Sequence, residues 1–158
     1  MTKIIAELCQ NHNGDIKILE EMVHAASEAG AEIVKIQSMH SDNLTHRERF
    51  DEGIIENGEV KSIKRPYKAE YDRLKKLDLN EQQHFIFLDY CKKYNVVPMT
   101  TIFSRSKLKF LETLDFNMIK VSSFDCASHK MIEELAESMF KELIISTGST
   151  FDDEIKKT

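Results

Sequence analysis

Ala31-Glu32-Ile33-Val34-Lys35-Ile36-Gln37-Ser38 is the stretch on which the reading of the fold turns. It follows a glycine and precedes a polar segment, and Ile33, Val34 and Ile36 are β-branched, so it reads as a buried strand. Side chains alternate along a strand, which puts Lys35 and Gln37 on one face and Val34 and Ile36 on the other. A strand at the centre of a parallel sheet is covered on both faces and should be almost wholly apolar. A lysine is almost never buried without a partner. Two readings follow. Either this is an edge strand with a solvated face, or its C-terminal end carries a polar site.

Working outward, Lys3 to Cys9 reads as a first strand in which Glu7 is the exception. The turn Gln10-Asn11-His12-Asn13-Gly14 comes next, and Asp15 opens a helix, where its anionic side chain suits the positive helix end. Ile18, Leu19, Met22, Val23 and Ala26 form its apolar face, and Gly30 is its stop. Met39 to Leu79 is rich in charge and has no sustained period. A connection this long in a compact domain is functional or partly disordered, with short helical turns expected around Tyr67 to Lys75. Asn80 and Gln83 form a capping-box pattern for a helix whose apolar side is expected to hold Phe85, Leu88, Cys91 and Tyr94. Strands are predicted at Val96 to Thr101, Met118 to Ser122 and Leu143 to Ser146. Between them Ser104 caps a helix with Leu108, Leu111 and Leu114 inside, and a further helix runs from Ser128 to Met139. After the turn Thr147-Gly148-Ser149, Thr150 and Asp153 read as another helix start.

Strand and helix therefore alternate five times, the pattern of a parallel α/β fold with right-handed crossovers. Two architectures share it. One is the front part of a (β/α)8 barrel, which needs eight such units and about 250 residues. The other is a doubly wound five-stranded sheet closed by a short last helix.

The 158 residues suffice for one domain with a core, and 41% hydrophobic with 31% charged residues describe a soluble globular chain. A net charge of −5 argues against general nucleic-acid binding. No apolar run approaches the roughly 20 residues of a membrane-spanning helix, and no signal peptide precedes the first strand. Cys9, Cys91 and Cys126 are odd in number and far apart, which fits free thiols in a reducing, cytoplasmic compartment. They have no base nearby in sequence to make a nucleophile. No His or Cys spacing marks a metal site.

Polar residues collect where the strands end: Glu7, then Lys35 and Gln37, Thr100 and Thr101, Lys120 with Ser122 and Ser123, and Ser146 with Thr147. Parallel α/β folds bind ligands at the carboxyl ends of their strands. Two lysines with hydroxyls between them suit a compact anion bearing phosphate and carboxylate. Taken singly, a serine or threonine at a strand end is commonly a cap or turn former. Among the histidines, His12 reads as a loop residue and His24, His84 and His129 as surface residues on helices. His40 and His46 lie in the long connection, from which they could reach the site.

These residues resemble a known family. Ala6-Glu7-Leu8-Cys9-Gln10-Asn11-His12-Asn13-Gly14-Asp15, Ala29-Gly30-Ala31 and Val34-Lys35-Ile36-Gln37 look like segments of the sialic acid (N-acetylneuraminate) synthases, which include legionaminate and pseudaminate synthases. So do Thr100-Thr101-Ile102-Phe103-Ser104-Arg105, Ile119-Lys120-Val121-Ser122-Ser123 and Ile145-Ser146-Thr147-Gly148. The resemblance implies an α/β chain of (β/α)8 TIM-barrel type, here the first five β/α units. Residues 1–158 would be the N-terminal part of the barrel, with the remaining units and a C-terminal antifreeze-like domain absent.

The activity it implies is condensation of phosphoenolpyruvate with an N-acyl-mannosamine-type sugar, releasing phosphate. By resemblance Lys35, Thr101, Lys120, Ser123 and Ser146 hold phosphoenolpyruvate and Gln37 bridges toward the sugar. Asp125 stands where an acid contacts the sugar, and Glu7 is the strand-one acid near the reacting centre. A divalent metal, Mn2+ or Mg2+, is implied for the full-length enzyme, its ligands on later strands, and so is a homodimer. Ile102, Ser122, Phe124 and Ser149 depart from the pattern. Two other functions fit the residues: an aldolase forming a Schiff base on Lys35 or Lys120, and a non-catalytic anion-binding domain.

Overall fold

The computed structural model describes residues 2–148 and 150–157. Strand β1 (Ile5–Cys9) is followed by α1 (Ile16–Glu28) and β2 (Ile33–Ser38). After two short 3-10 turns comes a hairpin of β3 (Ile54–Glu56) and β4 (Glu59–Ser62), then α2 (Tyr67–Lys75) and α3 (Glu81–Lys93). The remaining elements are β5 (Val97–Ile102), α4 (Leu108–Glu112), β6 (Met118–Val121), α5 (His129–Ala136), β7 (Glu142–Ile145) and α6 (Asp152–Ile155). Ser149 of the turn after β7 lies outside the described residues.

The main sheet has five parallel strands in the order β1-β2-β5-β6-β7. Without the small hairpin, order in space is order in sequence. A doubly wound sheet reverses its strand order at a switch point; these strands do not reverse. β2 lies between β1 and β5, so the edge-strand reading of Ala31 to Ser38 fails.

Alternation along the strands divides the apolar residues between two faces. Val34, Ile36, Ile102, Ile119 and Val121 join Leu19 and Val23 of α1, Phe87 and Cys91 of α3, and Met131 and Leu135 of α5 in the main core. On the other face Ile33, Met99 and Met118 pack with Ile144 in a smaller cluster. That second face also carries Glu7, Lys35, Gln37, Thr101 and Lys120.

The local signals are realised atom by atom. Asp15 Oδ1 accepts from the Lys17 and Ile18 amides at 2.7 and 3.4 Å. Asn80 and Gln83 exchange both capping-box bonds at 2.9 Å. Gly14 has φ +78°, and a Cβ there would meet the Lys76 carbonyl oxygen at 2.1 Å, so only glycine fits.

Several expectations are corrected. On α3 the buried residues are His84, Phe87 and Cys91, while Phe85 is 43% exposed. Leu88 and Tyr94 pack against the core as expected, so only Phe85 is misplaced, its position being taken by His84, whose Nε2 is bonded to Ser38 of β2. His84 is therefore not a surface residue. Helix α5 stops at Ala136 and leaves Met139 exposed. Ser104 makes no capping bond and pairs with Ser106 instead. Helix α6 begins after Phe151, whose amide donates to the Glu154 carboxylate at 2.8 Å. The hairpin was unforeseen, although Asn57-Gly58 at its tip, with φ +53° and +80°, is a strong sequence signal for a two-residue turn. No helix among the described residues is long and apolar enough to cross a membrane.

Candidate functional site

Lys35 is 1% exposed and is among the largest fully buried side chains of the protein. Its ammonium lies 2.8 Å from the Glu7 carboxylate and donates to Thr101 Oγ1 at 2.7 Å and to the Ile36 carbonyl at 3.3 Å. Three N–H groups thus meet three acceptors, the condition under which a charge survives burial. Burial pushes the lysine below its usual range, Glu7 pulls against that, and the Lys120 charge adds to the push. The Glu7 side chain is 42% exposed, so the pair runs from the core out to solvent.

Register explains why these residues meet. Glu7 pairs with Lys35 across β1 and β2. Gln37 pairs with Thr101, and Thr101 with Lys120, across β2, β5 and β6. Glu7, Lys35, Gln37, Thr101 and Lys120 therefore share the face of the smaller apolar cluster, toward the strands' C-terminal ends. Lys120 is half-buried and, unlike Lys35, has no carboxylate partner among the described residues. Among the described residues the face therefore offers Lys35 neutralised by Glu7 and Lys120 without such a partner.

The other sequence-derived candidates sit at its rim. Ser123 is exposed and starts the short turn Ser123–Asp125 after β6. A Cβ on Gly148 would lie 3.5 Å from the Ser123 Cβ, so the loops after β6 and β7 touch there. Ser146 is half-buried just after β7, its amide bonded to the Val121 carbonyl at 3.1 Å. Asp125 accepts from Ser122 Oγ at 2.6 Å.

Asp125 also lines a cavity of about 480 Å³. The segment between β2 and α3 roofs it, through Met39, Phe50, Ile63 and Tyr67, and the ends of β5 and β6 floor it through Phe103 and Phe124. Its charged groups are mostly engaged with one another. Arg65 and Arg73 both hold Glu70, at 2.5 and 2.8 Å, and the Arg47 guanidinium lies 5.1 Å over the Phe124 ring. The walls left to a ligand are mainly apolar. The sequence reading found none of this except Asp125, because the segment has no period and its contacts are with strands far along the chain.

Two further groups bear on the site. Cys9 ends β1 at a register shift with φ +52°, a strained conformation for a residue with a Cβ. Burial and the Glu7 carboxylate push its thiol up, so it is held as the thiol. The histidines expected within reach are elsewhere. His40 stacks with His84 at 6.2 Å, and His46 pairs with Asp51 at 2.6 Å on the surface. His12 is fully buried and its Nδ1 accepts from the Gly14 amide at 3.0 Å. Among the described residues no three His, Cys, Asp or Glu side chains converge to hold a metal ion.

A five-stranded parallel sheet whose strands run in sequence order, with two lysines and hydroxyls toward one end, places the chain among the parallel α/β folds. Within that class, the chain belongs to the NeuB family, whose model matches residues 22–158. It is 32% identical over 146 residues to the N,N'-diacetyllegionaminic acid synthase of Legionella pneumophila, covering 92% of this chain and 39% of that protein. It is 29% identical over 148 residues to the pseudaminic acid synthase of Helicobacter pylori, covering 92% of this chain and 41% of that one. Among solved structures it resembles the N-acetylneuraminic acid synthetase of Leptospira borgpetersenii in complex with citrate. The TM-score is 0.78 at 25% identity, over 98% of this chain and 47% of that one. The chain thus spans about two-fifths of the length of the curated relatives it matches.

Proposed function

We propose that the chain is the first five β/α units of a (β/α)8 barrel that condenses phosphoenolpyruvate, an N-acyl amino sugar and water to give a nonulosonic acid and phosphate. One observation carries this reading: Lys35 of β2 and Lys120 of β6 share one face toward the C-terminal ends of the strands, with Thr101 of the intervening β5 between them. Phosphoenolpyruvate is a compact anion with a phosphate and a carboxylate. Lys120 supplies a free positive charge, and Thr101, Ser123 and Ser146 supply directional hydroxyls. A citrate complex of the Leptospira relative is in keeping with such a site. Glu7 holds the Lys35 ammonium in place beside the reacting centre, and Gln37 lies between the anion and the sugar.

The cavity bearing Asp125 takes the sugar. Its apolar walls suit acyl methyl groups, because a buried hydroxyl without a partner is costly. The names of the relatives, diacetyllegionaminic and pseudaminic acid synthases, fit an acylated sugar. In the reaction, fixed cations stabilise negative charge on the phosphate as it departs. The divalent metal implied by the resemblance, Mn2+ or Mg2+, would activate the sugar aldehyde. The described residues offer no donor set for it, and its ligands would lie on the later strands. Partner strands, a homodimer and a cytoplasmic setting belong to the same proposal.

The deciding experiment is calorimetric titration of the chain with phosphoenolpyruvate, for the unaltered protein and for Lys35→Ala and Lys120→Ala. Binding that either substitution weakens upholds the site; equal affinity in all three removes phosphoenolpyruvate from it. The aldolase reading has one feature in its favour, the lowered Lys35 pKa. Borohydride trapping with pyruvate separates the two, since the condensation forms no imine.

A further inference from the structure

Behind the lysine face, on the opposite side of the sheet, Ser38, Thr100 and His84 are 2%, 0% and 0% exposed. They are hydrogen-bonded in series. Thr100 Oγ1 lies 2.7 Å from Ser38 Oγ, and Ser38 Oγ lies 2.9 Å from His84 Nε2. His84 Nδ1 lies 2.9 Å from the Asn80 carbonyl oxygen. The direction of the series can be derived. A carbonyl oxygen only accepts, so His84 Nδ1 carries the proton. In the neutral ring Nε2 then accepts, and Ser38 must donate to it. The Ser38 oxygen is left to accept from Thr100, whose alternative acceptor, the Ile36 carbonyl, is 3.4 Å away.

Burial keeps the ring below the usual histidine range and hence neutral. The ring of Phe110 meets it edge-on at 5.4 Å, excluding water. Every link therefore points one way, from β5 through β2 to the first turn of α3.

The position of this chain gives it a role. Thr100 precedes Thr101 on β5, and Ser38 follows Gln37 on β2. Gln37 and Thr101 are register partners whose side chains lie on the lysine face. The series clamps the same rung from behind.

We propose that His84 is a positioning residue: fixed as its Nδ1–H tautomer, it anchors a one-way hydrogen-bond chain that locks the ends of β2 and β5 together and so sets Thr101 Oγ1 against the Lys35 ammonium. Its importance for anion binding rests on the reading of that face given above; the tautomer and the Thr101–Lys35 contact do not.

The test uses the 15N-labelled chain. Long-range nitrogen–proton correlation should show His84 as the Nδ1–H tautomer, and the buried Lys35 ammonium should give its own slowly exchanging signal. Thr100→Val keeps the shape and removes the hydroxyl; it should shift or abolish the Lys35 signal. Thr100→Ser restores the hydroxyl and should restore the signal. Titration with inorganic phosphate should weaken by roughly fivefold in Thr100→Val, the equivalent of one neutral hydrogen bond of about 1 kcal/mol. It should stay within about twofold in Thr100→Ser.

An Nε2–H tautomer overturns the proposal. So does a folded Thr100→Val protein whose Lys35 signal is unchanged. If the unaltered chain binds no phosphate, the anion-site reading falls, and the Lys35 signal still decides the positioning role. If Thr100→Val does not fold, Ser38→Ala and the tautomer of the unaltered chain decide it in the same terms.

Discussion

Lys35 and Glu7 form an ion pair whose members live in different media: the lysine side chain is 2% exposed and the glutamate 42%. That asymmetry predicts an order of stabilities. Removing the partner of a buried charge costs about 3–5 kcal/mol when both members are buried. With Glu7 half in water, Glu7→Gln should cost about 2–4 kcal/mol. Lys35→Met fills the same space without a charge and leaves Glu7 free to hydrate, so it should cost about 0–1 kcal/mol. Urea unfolding of the two variants tests this; a larger loss in Lys35→Met than in Glu7→Gln refutes the argument.

The lysines differ in what they offer a ligand. Among the described residues Lys120 has no carboxylate to release, so its positive charge is available at once, whereas Lys35 must be shared with Glu7. Each alanine substitution should weaken phosphoenolpyruvate binding by about 1.5–3 kcal/mol, the range for hydrogen bonds to charged groups. Calorimetry should place Lys120→Ala at the upper end. A Lys120→Ala protein binding as well as the unaltered chain would falsify the assignment.

Stability should fall between pH 6.5 and 5, before the carboxylates titrate. Burial, then the Lys107 charge, push His40 down from 6.5 to about 4. His12 and His84 are lowered too, with burial the largest cause for each. In that window the unfolded chain takes up protons that the folded chain refuses. Stability is therefore complete above pH 6.5 and declines as pH falls toward 4, by up to about 1.4 kcal/mol per pH unit for His40 alone. Urea midpoints at pH 7 and pH 5 test the sign, and His40→Gln should flatten the slope. Equal midpoints at the two pH values contradict it.

Two glycines with similar backbone angles should respond differently. Gly14 has φ +78° and a carbonyl 2.1 Å from where a Cβ would stand, whereas Gly30 has φ +85° and nothing within 4 Å. Gly30→Ala should cost about 1–2 kcal/mol, the left-handed penalty alone. Gly14→Ala should cost at least twice that, because the turn must also move away from Lys76. Thermal unfolding of both variants compares them; equal losses mean the close approach relaxes freely.

What was legible in the sequence was local. The Asp15 cap, the Asn80–Gln83 box and the parity of Lys35 with Gln37 depend on residues a few positions apart, and all three are present. The order of strands was not legible, because repeating β/α units are common to open sheets and barrels. Nor was the partner of Lys35: Glu7 stood out in its strand, but only the pairing of β1 with β2 brings the two together. His84 was misplaced for a related reason. Its ring is drawn in by Ser38, which lies 46 positions earlier in the chain, and no helical period reports that. The hairpin was missed despite Asn57-Gly58, since the charged residues around it hide the alternation.

The agreement between strand order and chain order also bears on how the molecule is made. Each strand of the main sheet pairs with the one synthesised just before it, once β3 and β4 are set aside. As the chain leaves the ribosome, each completed unit can dock on its predecessor without waiting for a distant segment. The single exception is the joining of β5 to β2, which must close over residues 39–96. Loop closure slows with separation, so this step should set the pace of assembly. Pulse-labelled hydrogen exchange would then find amides of β1, α1 and β2 protected early and those of β5 to β7 gained together afterwards.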